Sequence, residues 1–211
     1  AERPGARPRI GLTPDELVRW RDVAHRMYIP FDRTLGIHEQ DDHFLDRDPF
    51  DLRSTPKDEL PVGRKWRWEK LMRSQAMKQA DVVLLMFMQH ERFPEKVKRA
   101  NYRFYEPKTT HESSLSPCIY SIMAAELGFE DDAFTYYLRS ARLDLDDVNG
   151  NASQGQHTAS IAGSWMSVVN GFGGMRLTAG RLWSRAWGFA YPSLGWSEDH
   201  GFQWFSFVRE E

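Results

Sequence analysis

Apolar positions Leu17, Trp20, Ala24 and Met27 fall on one face of a 3.6-residue repeat, and Thr13, Pro14 and Glu16 stand just ahead of them. Thr13 is placed as an N-cap, Pro14 as the first helical residue and Glu16 as the closing member of a capping box, so the pattern predicts a helix. From Ile29 to Gly63 the periodicity gives way to prolines and acids, a long loop of the kind that is usually functional inside a compact domain. "GRKWRWEKLMRSQAM" then gives a helical turn or two. "QADVVLLMFMQH" gives a helix apolar nearly all round, hence one expected to be buried. "PEKVKRANYRFYEP" is a helix bounded by Pro94 and Pro107. In "SPCIYSIMAAELG" Ser116 reads as N-cap, Pro117 as first helical residue and Gly128 as C-cap. "FEDDAFTYYLRSARLDL" carries acids at the end where the helix dipole favours them. "HTASIAGSWMSVVNG" has Ala159, Ser160, Ala162 and Gly163 to permit close helix contact. After Gly174 the pattern changes: "MRLTAGRLW" reads as a hairpin and "FQWFSFV" as a strand. The organisation expected is a mainly α unit over 1–174 and a small β segment over 175–211. The succession of helical pairs suits an α/α arrangement.

Length and charge narrow the partners. At 211 residues the chain fits one domain with an appendage. The net charge of -2, with basic residues dispersed among acidic ones, recommends neither a nucleic acid nor a membrane as partner. The longest apolar run, Val82 to Met88, is far too short to span a bilayer. The single cysteine excludes an internal disulfide framework and, with no secretory-type apolar segment at the start, favours a cytoplasmic location. Eight tryptophans could offer sugar-stacking platforms, although core and interface packing is the commoner use.

The chemistry gathers at helix mouths. "TTHESSLSPC", Thr109 to Cys118, places His111, Glu112, Ser113 and Ser114 just before a helix start, where free N–H groups suit an anion. His157, Thr158 and Ser160 open a second helix in the same manner. Convergence of the two would form an oxyanion pocket, and ordinary capping at each is an equal reading. Lys78 and Gln79, at the mouth of the apolar helix, either donate to a ligand or reach solvent. "HEQDDH" spaces its histidines five apart in a loop rather than four apart on a helix, and "DLDDVNGN" puts Val148 at a calcium-ligand position and Gly155 where a closing glutamate belongs. No metal site is assigned. "NGFGG" ends a helix instead of opening one and reads as a C-cap and turn. Cys118 with His111 could form a thiol and base, but a small buried cysteine is the preferred reading.

Taken in order, "RWRDVAHRMYIPFDRTLGIHEQDDHF", "KQADVVLLM", "VKRANYRFYEPKTTHESSLSPCIYSIMAAELG", "RLDLDDVNGN" and "HTASIAGSWMSVVNGFGGMR" resemble glycoside hydrolase family sixty-five, the inverting maltose, trehalose and kojibiose phosphorylases and a few hydrolases. The matching segments lie between Leu17 and Arg176. The resemblance implies the C-terminal half of an (α/α)6 barrel followed by a short β-strand segment. It also implies a C-terminal portion of an enzyme whose other half is a required partner; a homodimer stays open.

By that resemblance Ser113, Ser114 and His157 are phosphate ligands, Lys78 and Gln79 hold the glucosyl residue next to the scissile bond, and Glu39 borders the acceptor sugar. The family's general acid is a glutamate in a "DEY" type motif that this chain does not contain, so no catalytic residue is assigned; "PDEL" at Pro14 is a helix cap. No cofactor is implied, inorganic phosphate being the co-substrate alongside a disaccharide. The function so implied is phosphorolysis of a maltose-, trehalose- or kojibiose-like α-glucoside. The alternatives are a hydrolase of the same family and a non-enzymatic carbohydrate-binding or structural remnant.

Overall fold

The computed structural model describes residues 10–79, 81–178 and 181–184. Along them run helices α1 (Pro14–Arg26), α2 (Val62–Lys65), α3 (Trp68–Arg73), α4 (Asp81–Met88), α5 (Glu95–Tyr105), α6 (Ser116–Leu127), α7 (Glu130–Ala141) and α8 (Thr158–Met166), then strands β1 (Arg176–Thr178) and β2 (Arg181–Trp183). The fold is thus mainly helical with a two-stranded antiparallel sheet, in the register Arg176 to Trp183, Leu177 to Leu182 and Thr178 to Arg181. The expected strand "FQWFSFV" and the rest of 185–211 lie outside the described residues.

Helix α1 begins as its residues dictate. The Glu16 N–H donates to Thr13 Oγ1 at 3.3 Å and the Thr13 N–H donates back to Glu16 Oε2 at 2.9 Å. Its apolar stripe, however, covers nothing among the described residues, and Trp20 and Met27 stand more than half exposed. The long segment 29–63 is a loop, as expected, but a fastened one. Ile37, Phe44 and Phe50 are buried, the Tyr105 hydroxyl donates to the His38 carbonyl at 2.5 Å, and the His38 N–H donates to Asn101 Oδ1 at 2.9 Å. These contacts strap it to α5.

The core is organised around α6, in which every residue except Glu126 is buried. Gly128 ends it in the left-handed region at φ 74°, a conformation that glycine adopts without a Cβ penalty. Helices α4, α5, α7 and α8 pack around it. The expectation that α4 is wholly buried is corrected: Val82, Val83 and Met86 are buried, whereas Leu85 and Met88 are exposed. One face of α4 is enough to cover α6, and the opposite face meets no partner among the described residues.

Glu126 holds a charged crossing of this core. It accepts from Lys98 Nζ at 2.5 Å and Arg176 Nη2 at 2.6 Å, tying α5 and the hairpin to α6. Burial alone would raise its carboxyl pKa, but the two cations outweigh that and hold it below the usual range. Removing one member of such a buried set leaves another charge unpaired.

The contact that most constrains the site is between α6 and α8. Gly163 lies so close to α6 that an added Cβ would stand 2.6 Å from Cys118 Sγ and 2.7 Å from Cys118 Cβ. One turn on, Ser167 Oγ donates to the Cys118 carbonyl at 3.5 Å, and in the following π-helical turn Gly171 faces Ile122. Residue numbers rise together along both helices, so α6 and α8 run parallel and open toward the same end. Of the small residues flagged for close contact, Ser160 and Gly163 are buried at helix interfaces, while Ala162 faces outward.

Gly163→Ala is accordingly expected to lower stability by about 1–3 kcal/mol through overpacking against Cys118. Ala162→Ser, on the exposed face, should stay within about 0.5 kcal/mol of the parent. Urea unfolding of the two variants and the parent makes the comparison; equal midpoints for all three would contradict the close approach.

Candidate functional site

The mouth of α6 is built from a short extended segment. The Met77 N–H donates to the Lys108 carbonyl and the Thr110 N–H donates to the Met77 carbonyl, both at 2.8 Å, forming a parallel bridge between Met77 and Thr109. The bridge sets Lys78 and Gln79 beside Thr110 and His111 through backbone alone. Lys78 is exposed and Gln79 half-buried. From the other side, Gln40 Nε2 donates to Asp81 Oδ2 at 2.8 Å and pulls the loop carrying the half-buried Glu39 to the start of α4. Glu39, Lys78, Gln79 and the serine loop therefore share one end of the helix cluster.

His111 sits in the left-handed region at φ 54°, which is uncommon for a residue with a side chain. Its ring is buried against Tyr120 and Tyr136, with centroids 4.9 and 4.5 Å away, and Nδ1 lies 3.2 Å from Ser116 Oγ. This corrects the capping expectation. Ser116 is the first residue of α6, one position later than an N-cap, and its hydroxyl engages His111 rather than a helical N–H. Ser113 supplies the local turn instead, its buried Oγ accepting from the Leu115 N–H at 3.2 Å. Ser114 is half-buried and its hydroxyl makes no hydrogen bond among the described residues. Both Glu112 oxygens accept from the Gly63 N–H, at 3.2 and 3.0 Å.

At the mouth of α8, His157 occupies the N-cap position. Asp144 grips it twice: Oδ2 accepts from the His157 backbone N–H at 2.7 Å, and Oδ1 lies 2.5 Å from Nδ1. These hydrogen bonds, the backbone one first, hold the Asp144 carboxyl below its usual range. The ionised carboxylate accepts, so Nδ1 carries the proton, and Nε2 meets Asn151 Nδ2 at 3.3 Å. Thr158 is exposed, whereas Ser160 is buried and donates to the Ser140 carbonyl at 2.8 Å. Ser160 thus joins α7 to α8 and is not free for a ligand at the α8 mouth. Because α6 and α8 are parallel, Ser113, Ser114 and His157 open at the same end of the cluster.

The remaining acids of "DLDDVNGN" are engaged locally, Asp146 by Arg142 at 2.6 Å and Asp147 Oδ1 by the Ala152 N–H at 2.8 Å. Cys118 is buried, its Sγ donates to the Leu115 carbonyl at 3.4 Å, and burial pushes its thiol pKa up, which fits the packing role. Asp144, Asn151 and Arg139 were not singled out by sequence reasoning. Asp144 and Asn151 could have been found from their place in the acidic loop immediately ahead of "HTAS". No helix among the described residues is long and apolar enough to cross a membrane.

Comparison with known proteins converges on one family. The model of the glycosyl hydrolase family 65 central catalytic domain matches residues 2–166. The chain is 45% identical over 174 residues to an α,α-trehalose phosphorylase of Thermoanaerobacter brockii, covering 82% of this chain and 22% of that protein. It is 45% identical over 161 residues to a maltose phosphorylase of Bacillus subtilis, covering 76% of this chain and 21% of that one. A solved "putative kojibiose phosphorylase from human microbiome" superposes with a TM-score of 0.74 at 35% identity, covering 85% of this chain and 29% of that chain. The chain thus spans about a fifth of the length of these curated relatives.

Burial, with the nearby Arg139 charge assisting, pushes the His111 pKa down to about 3. Unfolded histidine takes up a proton near pH 6.5, so between about pH 6.5 and 3 the unfolded state binds more protons and stability falls as pH falls. His111→Asn suits the left-handed backbone. It should remove a component of this acid limb worth up to about 1.4 kcal/mol per pH unit. Urea midpoints of both proteins across this range give the difference, and parallel curves would show that His111 protonates freely in the folded chain.

Proposed function

The chain belongs to glycoside hydrolase family 65, and from that premise we propose that it forms the phosphate- and glucosyl-binding wall of an inverting α-glucoside phosphorylase. The observation that carries this reading is the shared opening of the α6 and α8 mouths, with Ser113 and Ser114 on one and the Asp144-held His157 on the other. Helix ends supply free N–H groups and the serines supply hydroxyls, a donor set for a tetrahedral dianion, and His157, held at Nδ1 by Asp144, joins it as a donor through Nε2 only in its doubly protonated form, in exchange for the contact with Asn151. Lys78 and Gln79, fastened beside this loop by the Met77 bridge, are the donors for the glucosyl hydroxyls. Glu39 lies toward the acceptor sugar.

In the reaction, a phosphate oxygen attacks the anomeric carbon from the face opposite the leaving group. The glycosidic C–O bond breaks, the departing oxygen takes a proton, and β-glucose 1-phosphate forms from an α-glucoside. The water of an inverting hydrolase would occupy the same place. This wall holds the nucleophile and the sugar; the proton for the leaving oxygen is to come from a carboxylic acid on the rest of the enzyme. The exposed apolar residues of α4, α8 and the π-helical turn after α8, Leu85, Met88, Ile161, Trp165 and Val168, are then the faces on which the remaining helices of an (α/α)6 barrel close.

The isolated chain should therefore give no measurable phosphorolysis of maltose, trehalose or kojibiose, because general-acid help is commonly worth about a hundredfold to ten-thousandfold. Adding the preceding portion of a family relative should restore phosphate-dependent release of β-glucose 1-phosphate. Release of free glucose without phosphate would instead establish a hydrolase.

Within the restored enzyme, His157→Ala should raise the KM for phosphate at least tenfold and move that for the disaccharide much less. Asp144→Asn should follow the same pattern more weakly. Equal effects on both substrates would remove His157 from the phosphate site.

A further inference from the structure

We propose that Arg139 is the cation of the anion site at the serine loop, holding that loop in place and supplying the charge that a bound phosphate neutralises. The inference rests on the reading of Ser113, Ser114 and His157 given above. Arg139 lies in α7 and its Nη2 donates to the His111 carbonyl at 2.9 Å, two residues ahead of Ser113. It thereby fixes the left-handed turn from which the serines project.

The guanidinium feels the nearby Glu112 carboxylate but does not pair with it. It makes no ion pair among the described residues, and its Nε is buried with no hydrogen-bond partner there. The acid nearest in sequence to its anchor, Glu112, is held by the Gly63 N–H. Burial lowers the Arg139 pKa, and the nearby Tyr136 and Glu112 act against it without cancelling it. His111 cannot substitute as the cation, because it is 2% exposed, stays neutral down to about pH 3 and has its own Nε2 buried and unpartnered. A partly desolvated arginine with open donors beside two serines at a helix mouth matches the geometry of an oxyanion better than that of a neutral sugar.

The test is calorimetric titration of the whole chain with inorganic phosphate and, separately, with maltose, accompanied by thermal unfolding. Arg139→Gln keeps an N–H for the His111 carbonyl but removes the charge, and Arg139→Lys keeps the charge but loses the fork. The expected result is at least a tenfold loss of phosphate affinity for Arg139→Gln, a smaller loss for Arg139→Lys, unchanged maltose binding and no fall in the unfolding temperature. His157→Ala serves as the control for the underlying reading. Undiminished phosphate binding by a folded Arg139→Gln, while His157→Ala loses it, overturns the proposal and leaves the reading standing. Should Arg139→Gln not fold, phosphate affinity of Arg139→Lys equal to the parent's or lost in step with maltose binding overturns it. Absence of phosphate binding in the parent overturns both.

Discussion

The approach of Gly163 to Cys118 is the constraint from which the site follows. Two helices can lie this close only where one presents no side chain, and the residue pairing that results makes α6 and α8 parallel. Parallel packing is what turns two separate helix mouths into one surface. Antiparallel neighbours would place the positive end of one dipole beside the negative end of the other and cancel the field an anion needs. The same physical feature thus serves the core and the candidate site: a glycine that brings backbones together also aligns the free N–H groups at their starts.

Around that alignment the loops are fixed by backbone and side-chain polar contacts. The Met77 bridge joins the entry of α4 to the serine loop, Gln40 joins the entry loop to Asp81, and Asp144 clamps His157 through both its backbone and its ring. At the other end of α6, the Lys98, Glu126 and Arg176 set anchors the hairpin, so the charge that serves structure lies apart from the candidate site.

Much of the fold was legible because its signals are local. A capping box at Thr13, a left-handed glycine at Gly128, acids at the start of α7 and the "MRLTAGRLW" hairpin each declare an element within a few residues. Where tertiary structure decides, local reading erred. Ser116 looked like a cap until His111, folded back by its positive φ, claimed the hydroxyl. Ser160 looked like a ligand until α7 packed on it. The apolar circumference of α4 gave no hint of which face turns inward. Of the site, the serines, His157 and the lysine-glutamine pair stood out as polar groups at helix mouths. Asp144 and Arg139 did not, since a charge in a loop or on a helix face looks the same whether it meets solvent or a neighbour.

The distribution of charge argues for a division of labour. An inverting phosphorolysis brings a dianion toward a carbon that is losing an oxygen, and the repulsion between phosphate and any nearby carboxylate must be limited until the proton is delivered. In the proposed wall the carboxylates near the candidate anion groups are already engaged, Asp144 by His157 and Glu112 by the Gly63 N–H. An acid held instead on the opposite wall of a barrel would face the leaving oxygen while the sugar ring separates it from the phosphate. On the proposed reading, the two halves of the chemistry belong on different helices, the phosphate groups on one side of the cleft and the proton donor on the other.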